Sequence, residues 1–269
     1  MSIYLYCSAE GALKCIETLR FRVSCAGAFN DPFDCQPVLL DPDDKEQQSL
    51  LEKRVQARID RGDLADGDLD WIRRMEEHNL ARSIRHNRGD ISTFLASPSQ
   101  PILCFTRTAH HPLMWAHYAD KHQGMLLEFD ENHAWFGDEL VNVVYSDVRP
   151  TLDHYKDTRN FRRLFFFKAL EWSYEQEVRM LPAASKAVNK EKVEGHHKFY
   201  FAFQPDLIRS VTIGMRSREQ SALLDVVGKL GPQGAHIKLR QAGLDRKDFR
   251  IVFTPIGADA APPQPAVTH

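Results

Sequence analysis

Lys168-Ala-Leu-Glu-Trp-Ser-Tyr-Glu-Gln-Glu-Val-Arg-Met-Leu-Pro182 is the stretch whose reading decides this fold. Side chains two apart on a strand share a face. An extended 175–181 therefore puts Glu175, Glu177 and Arg179 on one face and turns Val178 and Met180 into a core. Trp172 and Tyr174 stand just before it. Two readings are open: a charged cleft wall flanked by aromatics, or an edge strand whose alternating charges discourage aggregation.

Immediately upstream, residues 153–170 read as a basic helix (Lys156, Arg159, Arg162, Arg163, Lys168) whose Phe161, Leu164, Phe165 and Phe167 face inward. Residues 140–145 read as a strand. Further back, 102–105 is a buried strand and 112–119 a short helix with Pro112 in its first turn. The turn at Gly124 enters a strand at 125–129. On the short helix Trp115 and Tyr118 lie on one side with His117 round the turn, an arrangement able to stack on a planar ligand or simply to pack a core.

At the start of the chain, residues 3–6 read as a strand. Ser8 and Glu10 open a helix carrying Ala12, Leu13, Ile16 and Leu19 at helical spacing. Residues 20–25 alternate strictly, as a second strand does. Asn30-Asp-Pro32, between Phe29 and Phe33, is turn chemistry. Downstream, 198–203, 210–215, 236–240 and 249–255 read as strands and 217–230 as a helix. The arginine-rich, acid-interleaved residues 43–98 read as an inserted helical hairpin with a solvated face. Residues 259–269, rich in Ala and Pro, read as a disordered tail.

These eight or nine short strands do not alternate regularly with helices. The expectation is a single α+β domain over 1–258, built from mixed or antiparallel sheets. No Gly-x-Gly-x-x-Gly follows a strand and no Gly-x-x-x-x-Gly-Lys-Ser/Thr occurs, which argues against Rossmann and P-loop chemistry.

Lys plus Arg total 35 against 37 for Asp plus Glu, a net charge of −2, so nothing global demands nucleic acid, although a local basic patch would still serve one. No uncharged apolar run approaches a membrane span, and the opening residues lack a secretory signal's basic start and apolar core. The five cysteines include no Cys-x-x-Cys pair. They read as reduced thiols of a cytoplasmic protein, with no metal site.

Four pieces together resemble a widespread bacterial family catalogued as a domain of unknown function, DUF 2971. They are Phe29-Asn-Asp-Pro-Phe-Asp34, Cys104-Phe-Thr106, Leu113-Met-Trp-Ala-His-Tyr-Ala-Asp120 with Gly124, and Trp172-Ser-Tyr-Glu-Gln-Glu-Val-Arg179. Their order and spacing extend the resemblance from about residue 3 to residue 215. A second resemblance implies an activity. A strand ending in Tyr6-Cys-Ser8, then a helix and a second strand, is similar to the opening of ADP-ribosyltransferase-like folds, and Glu175-Gln-Glu177 looks like the Glu-x-Glu element of their arginine-directed branch.

That second resemblance implies an NAD-dependent ADP-ribosyltransferase with a macromolecular acceptor, in a toxin or anti-phage defence role. It implies Glu177 as the carboxylate that meets the nicotinamide ribose, and Glu175 on the nucleophile side. Tyr6 or Ser8 would meet the ribose and Trp115 or Tyr118 the nicotinamide. Asn30 and His117 join the cofactor-side set, and Arg179 would pair with a phosphate or hold Glu177 ionised. A carboxylate fixed beside developing positive charge stabilises the transition state more than the ground state. The chain departs from that pattern in having Tyr6 or Cys7 where an Arg or His is usual, and Cys104-Phe-Thr-Arg-Thr108 in place of a Ser-Thr-Ser triplet. Two other classes compete: a non-catalytic ligand- or partner-binding module, and a metal-dependent nuclease using Asp31, Asp34, Glu128 and Glu177.

Overall fold

A computed structural model describes residues 1–37, 100–150, 161–193 and 195–256, with positions 49, 53, 60 and 61 between the first two stretches. The expected insertion at 43–98, those four positions aside, and the expected tail at 259–269 lie outside these residues.

The chain opens as β1 (Ser2–Cys7), then α1 (Ala9–Thr18), then β2 (Arg20–Cys25). Ser8 caps α1 by accepting a hydrogen bond from the Gly11 N–H at 3.1 Å. Ala12, Cys15 and Ile16 recur at helical spacing and are buried. In β2, Phe21, Val23 and Cys25 are buried while Arg20 and Arg22 are exposed, as a period of two requires. β3 (Pro101–Thr106), α2 (Pro112–Tyr118) and β4 (Met125–Asp130) follow. Gly124 fixes how closely the exit of α2 approaches β1, because a Cβ there would lie 2.1 Å from the Cys7 carbonyl oxygen.

The remaining elements are β5 (Val141–Asn142), β6 (Val144–Ser146), β7 (Phe167–Ala169), β8 (Glu177–Met180), β9 (Asn189–Val193), β10 (His196–Ala202), β11 (Ile208–Ile213), α3 (Gln220–Lys229), β12 (Lys238–Leu244) and β13 (Ile251–Pro255). Eleven strands form one sheet in the order β13-β12-β11-β4-β1-β3-β2-β10-β9, with β8 on β3 and β5 on β8. Its pairs are antiparallel except β11 with β12. β6 and β7 form a separate parallel pair. The protein is therefore α+β, with a large mixed, mostly antiparallel sheet and few helices.

Two sequence expectations change here. The strand at 140–145 breaks at Val143, whose N–H turns to the Glu177 carbonyl at 2.9 Å, so β5 pairs with β8 and β6 with β7. The basic helix at 153–170 is, over its described part, a 3-10 turn (Phe161–Phe166) followed by β7. Leu164, Phe165, Phe167 and Lys168 are all buried, so Lys168 does not share the exposed side on which Arg162 sits. Strand geometry sends Phe167 and Lys168 to opposite sides instead.

β3 has three neighbours and positions the site. It meets β2 at Pro101 and Ile102, β8 from Leu103 to Thr106, and β1 at Thr106 with Tyr4. Leu103 and Phe105, with Val178 and Met180 opposite them on β8, face the main core. There Phe105 meets Phe21, Phe129 and Phe136 edge-on at 5.9, 5.6 and 5.4 Å between ring centroids. The other face of the same pair carries Cys104, Thr106, Glu177 and Arg179. Continuing the β1–β3 register would set Tyr6 opposite Cys104. The two strands part instead, and both residues line a pocket.

Candidate functional site

Glu177 and Arg179 are two apart on β8, so alternation brings their side chains together. Arg179 Nε donates to Glu177 Oε1 at 2.7 Å and Nη2 to Oε2 at 2.9 Å. The guanidinium then grips Asp34 in a second fork, Nη1 to Oδ1 at 2.8 Å and Nη2 to Oδ2 at 2.6 Å. Nη1 also donates to the Phe165 carbonyl at 2.6 Å. All five guanidinium N–H groups thus have an acceptor, and Arg179 is 0% exposed. Phe29 lies over its plane at 5.5 Å.

Lys168 reaches the same acids from β7. Its ammonium is 2.5 Å from Glu175 Oε2, 3.2 Å from Glu177 Oε2 and 3.8 Å from Asp34 Oδ2. The Trp172 ring covers it at 5.1 Å. Tyr118, on α2, donates to Glu175 Oε1 at 2.5 Å, and Asn30 Nδ2 lies 3.5 Å from the Tyr118 hydroxyl. The Glu177 N–H donates to the Tyr145 hydroxyl at 2.7 Å.

The expected extended 175–181 is corrected at its first two residues. Glu175 ends a 3-10 turn (Leu170–Glu175), Gln176 is left-handed at φ 46° and ψ 51°, and the strand begins only at Glu177. A left-handed residue other than glycine costs energy and needs fixing by its surroundings. The end of β3 fixes it: Thr106 Oγ1 donates to the Glu175 carbonyl, and the Arg107 N–H to the Gln176 carbonyl at 3.0 Å. Glu175 therefore joins Glu177 through this bend and through Lys168, and not by strand alternation.

Asp34, Glu175 and Glu177 carry three negative charges against the two positive charges of Lys168 and Arg179, leaving the cluster one negative charge in excess when fully ionised. The two glutamates sit in opposite electrostatic settings. Burial penalises the charge of Glu177, but Arg179 and then Lys168 overcome it and hold its carboxyl down at about 2. Burial dominates at Glu175 and raises it above the ordinary carboxylate value, against Lys168 and Tyr118. Lys168 is also desolvated, yet Glu177 and Glu175 raise it and keep it charged. Two carboxylates pushed apart in this way are the usual mark of divided acid–base roles.

The pocket over this cluster has a volume of about 170 Å³. That is the order of a cavity that accommodates one aromatic ring. Tyr4, Leu5 and Tyr6 of β1, with Phe29 and Tyr118, supply its apolar and aromatic wall, while Lys168, Glu175, Glu177 and Arg179 supply its charged floor.

Of the residues expected at the site, Tyr6, Asn30, Tyr118, Glu175, Glu177 and Arg179 line this one pocket. Ser8, Trp115 and His117 are not among its lining. Ser8 is committed to capping α1. Trp115 is wholly buried, its Nε1 donating to the Ala109 carbonyl at 2.9 Å and its ring meeting the edge of Tyr6 at 5.3 Å. His117 is exposed, its ring 6.3 Å from that of Tyr118. Sequence reasoning missed Lys168, read there as one charge of a basic helix, and Tyr145. It placed Asp34 only in the metal alternative.

The acids of that alternative do not form one metal-holding group among the described residues. Glu128 accepts from Ser2 Oγ, Ser210 Oγ and Arg240 at 2.7, 2.6 and 3.1 Å. Asp34 and Glu177 both hold Arg179, whose guanidinium fills the place a cation would take. Among the described residues no group of three or more His, Cys, Asp or Glu side chains is arranged to hold a metal ion, and no helix is long and apolar enough to cross a membrane. Compared with models of protein families, with curated proteins and with solved structures, the chain finds no match in any of the three.

Proposed function

We propose that the chain is an NAD-dependent ADP-ribosyltransferase-like enzyme that takes the nicotinamide–ribose end of NAD into the pocket between β1 and β8. The observation that carries this reading is one ring-sized, aromatic-walled pocket whose floor sets the three carboxylates Asp34, Glu175 and Glu177 against the two cations Lys168 and Arg179, one negative charge in excess when all are ionised. An excess negative charge beneath aromatic faces favours a planar cation such as the nicotinamide of NAD. An ADP-ribosyltransferase-like arrangement of the strands is part of the same proposal. A helix joins the first two strands, and Glu-x-Glu opens a strand two places from β1 across β3. The motif resemblance to DUF 2971 is compatible with it.

NAD supplies a glycosidic bond whose cleavage places positive charge on the ribose. The chain's part is to hold a fixed negative field there without reorganisation at the moment of reaction. Glu177 is fastened by three charge-assisted hydrogen bonds, from two nitrogens of Arg179 and from Lys168. Glu175 has two donors, Lys168 and Tyr118, and keeps one open lone pair on each oxygen. The lone-pair count thus gives the substrate-facing role to Glu175 and makes Glu177 a fixed negative charge, the reverse of the roles the resemblance implies.

The test is nicotinamide release from NAD by the purified protein, with cell extract as the source of acceptor. Release by wild type, lost in Glu175→Gln without loss of fold, supports the proposal. Absence of both NAD binding and release refutes it. A second reading, a non-catalytic binding module, is favoured by the fully satisfied Arg179 guanidinium, since structural ion networks share that trait. It predicts saturable ligand binding with no turnover.

A further inference from the structure

We propose that Lys168 is the positioning residue of this pocket: its ammonium, lodged among Glu175, Glu177 and Asp34, keeps Glu175 ionised and aims that carboxylate at the pocket and Tyr118. The inference deepens the reading above and rests on it for the identity of the substrate, but its own test needs no NAD.

The geometry carries it. Lys168 is 8% exposed although Leu170 and Glu171, just beyond it, reach solvent. Its ammonium approaches three carboxylates, from the turn after β2, from the 3-10 turn before β8 and from β8 itself. Arg179 touches two of these, Asp34 and Glu177, and spends its donors on them. Among the described residues Lys168 is the one cation paired with Glu175. The other groups facing Glu175 are Tyr118 from α2, Tyr145 from β6, Tyr174 beside it in the turn and the carboxylate of Glu177. None of these adds positive charge.

Removing the lysine charge would leave three buried carboxylates around one guanidinium. Such a group takes up a proton before it accepts that imbalance. Glu175 is the member that takes it, because the other two keep Arg179. A protonated Glu175 can no longer stabilise positive charge in the pocket, so a change at Lys168 acts through Glu175 without touching substrate.

The experiment follows the glutamate side-chain carboxyl carbons by ¹³C NMR during a pH titration of the ligand-free protein, with Glu175→Gln assigning the signal. In Lys168→Met and Lys168→Gln the Glu175 midpoint moves up by about 1–3 pH units relative to wild type, the size expected on losing an adjacent opposite charge. Lys168→Arg restores it at least in part. Under the proposed chemistry, nicotinamide release by the neutral variants recovers as pH rises past the new midpoint, whereas a lost structural brace gives no recovery. An unmoved midpoint overturns the proposal. So does failure of both neutral variants to fold, which would make the lysine a brace. A shifted midpoint in a protein that leaves NAD untouched upholds the role of Lys168 and refutes the NAD reading alone.

Discussion

The two faces of the β3–β8 pair are built from the same eight paired positions, yet they obey different rules. On one face Leu103, Phe105, Val178 and Met180 enter a core of edge-on aromatic rings. Burial there is non-directional and scales with area. On the other, Glu177 and Arg179 are equally dry but require a matched acceptor for every donor, drawn from Asp34, Phe165 and Glu177 itself. Replacing a buried ion network by apolar residues is often neutral or stabilising, whereas removing one member is costly. The charged face is therefore poorly explained by stability, and its place under a pocket points to ligand chemistry.

The largest effects probe each face alone. Arg179→Met leaves Asp34 and Glu177 with only Lys168 for compensation, and we expect a loss of about 3–5 kcal/mol in denaturant unfolding. Phe105→Ala is expected to cost a similar ~3–5 kcal/mol. The two losses differ in their response to pH, which separates the faces. The Phe105→Ala penalty stays level between about pH 4 and 8, since that ring packs among apolar side chains. If the Arg179→Met penalty is also level down to acid pH, the distinction between the faces fails.

The pH dependence itself comes next in size. The Glu177 carboxyl falls from an ordinary 4.5 to about 2 in the folded chain. A depressed value means that its stabilisation is complete above the unfolded value and is lost as pH falls from about 4.5 towards 2, on the order of 3 kcal/mol. Glu175 is raised and acts in the opposite sense, its contribution fullest below the unfolded value and lost as pH rises through the folded one. Glu177→Gln should therefore flatten the acid limb of the stability curve and Glu175→Gln should not. Unfolding midpoints across this range decide it.

Smaller still is the effect of making both faces alike. The combined variant Asp34→Leu, Glu177→Met, Arg179→Met keeps Lys168 paired with Glu175, and we expect stability within about 2 kcal/mol of wild type together with loss of ligand binding. A collapse in stability would show that the network is structural. The smallest effect is the control, Arg209→Gln, which breaks a half-exposed pair with Asp130 and should shift unfolding by less than about 1 kcal/mol.

How much of this the sequence revealed follows the same division. The alternation Val178, Arg179, Met180 fixed which side chains enter the core, and Ser8 was legible as a cap because both signals are local. Glu175 was placed beside Glu177 by strand periodicity, but the chain reaches that result by a left-handed Gln176, held by Thr106 and Arg107 across a gap no local pattern encodes. The Asp34–Arg179 pair spans 145 positions and exists only through the sheet order. Lys168 did leave a trace. A lysine directly after Leu164-Phe-Phe-Phe167, if buried with that apolar run, has to find acids inside the fold. A basic-helix reading passed over that conflict.

The most direct test of the whole account is a calorimetric titration of the ligand-free wild-type chain with NAD, set beside the same titration of the combined apolar variant. The account predicts saturable one-to-one binding to wild type, with Trp172 fluorescence changing as the ring over Lys168 senses the filled pocket, and no binding to the variant. An absence of heat with wild type, or equal affinity in the two proteins, would contradict it.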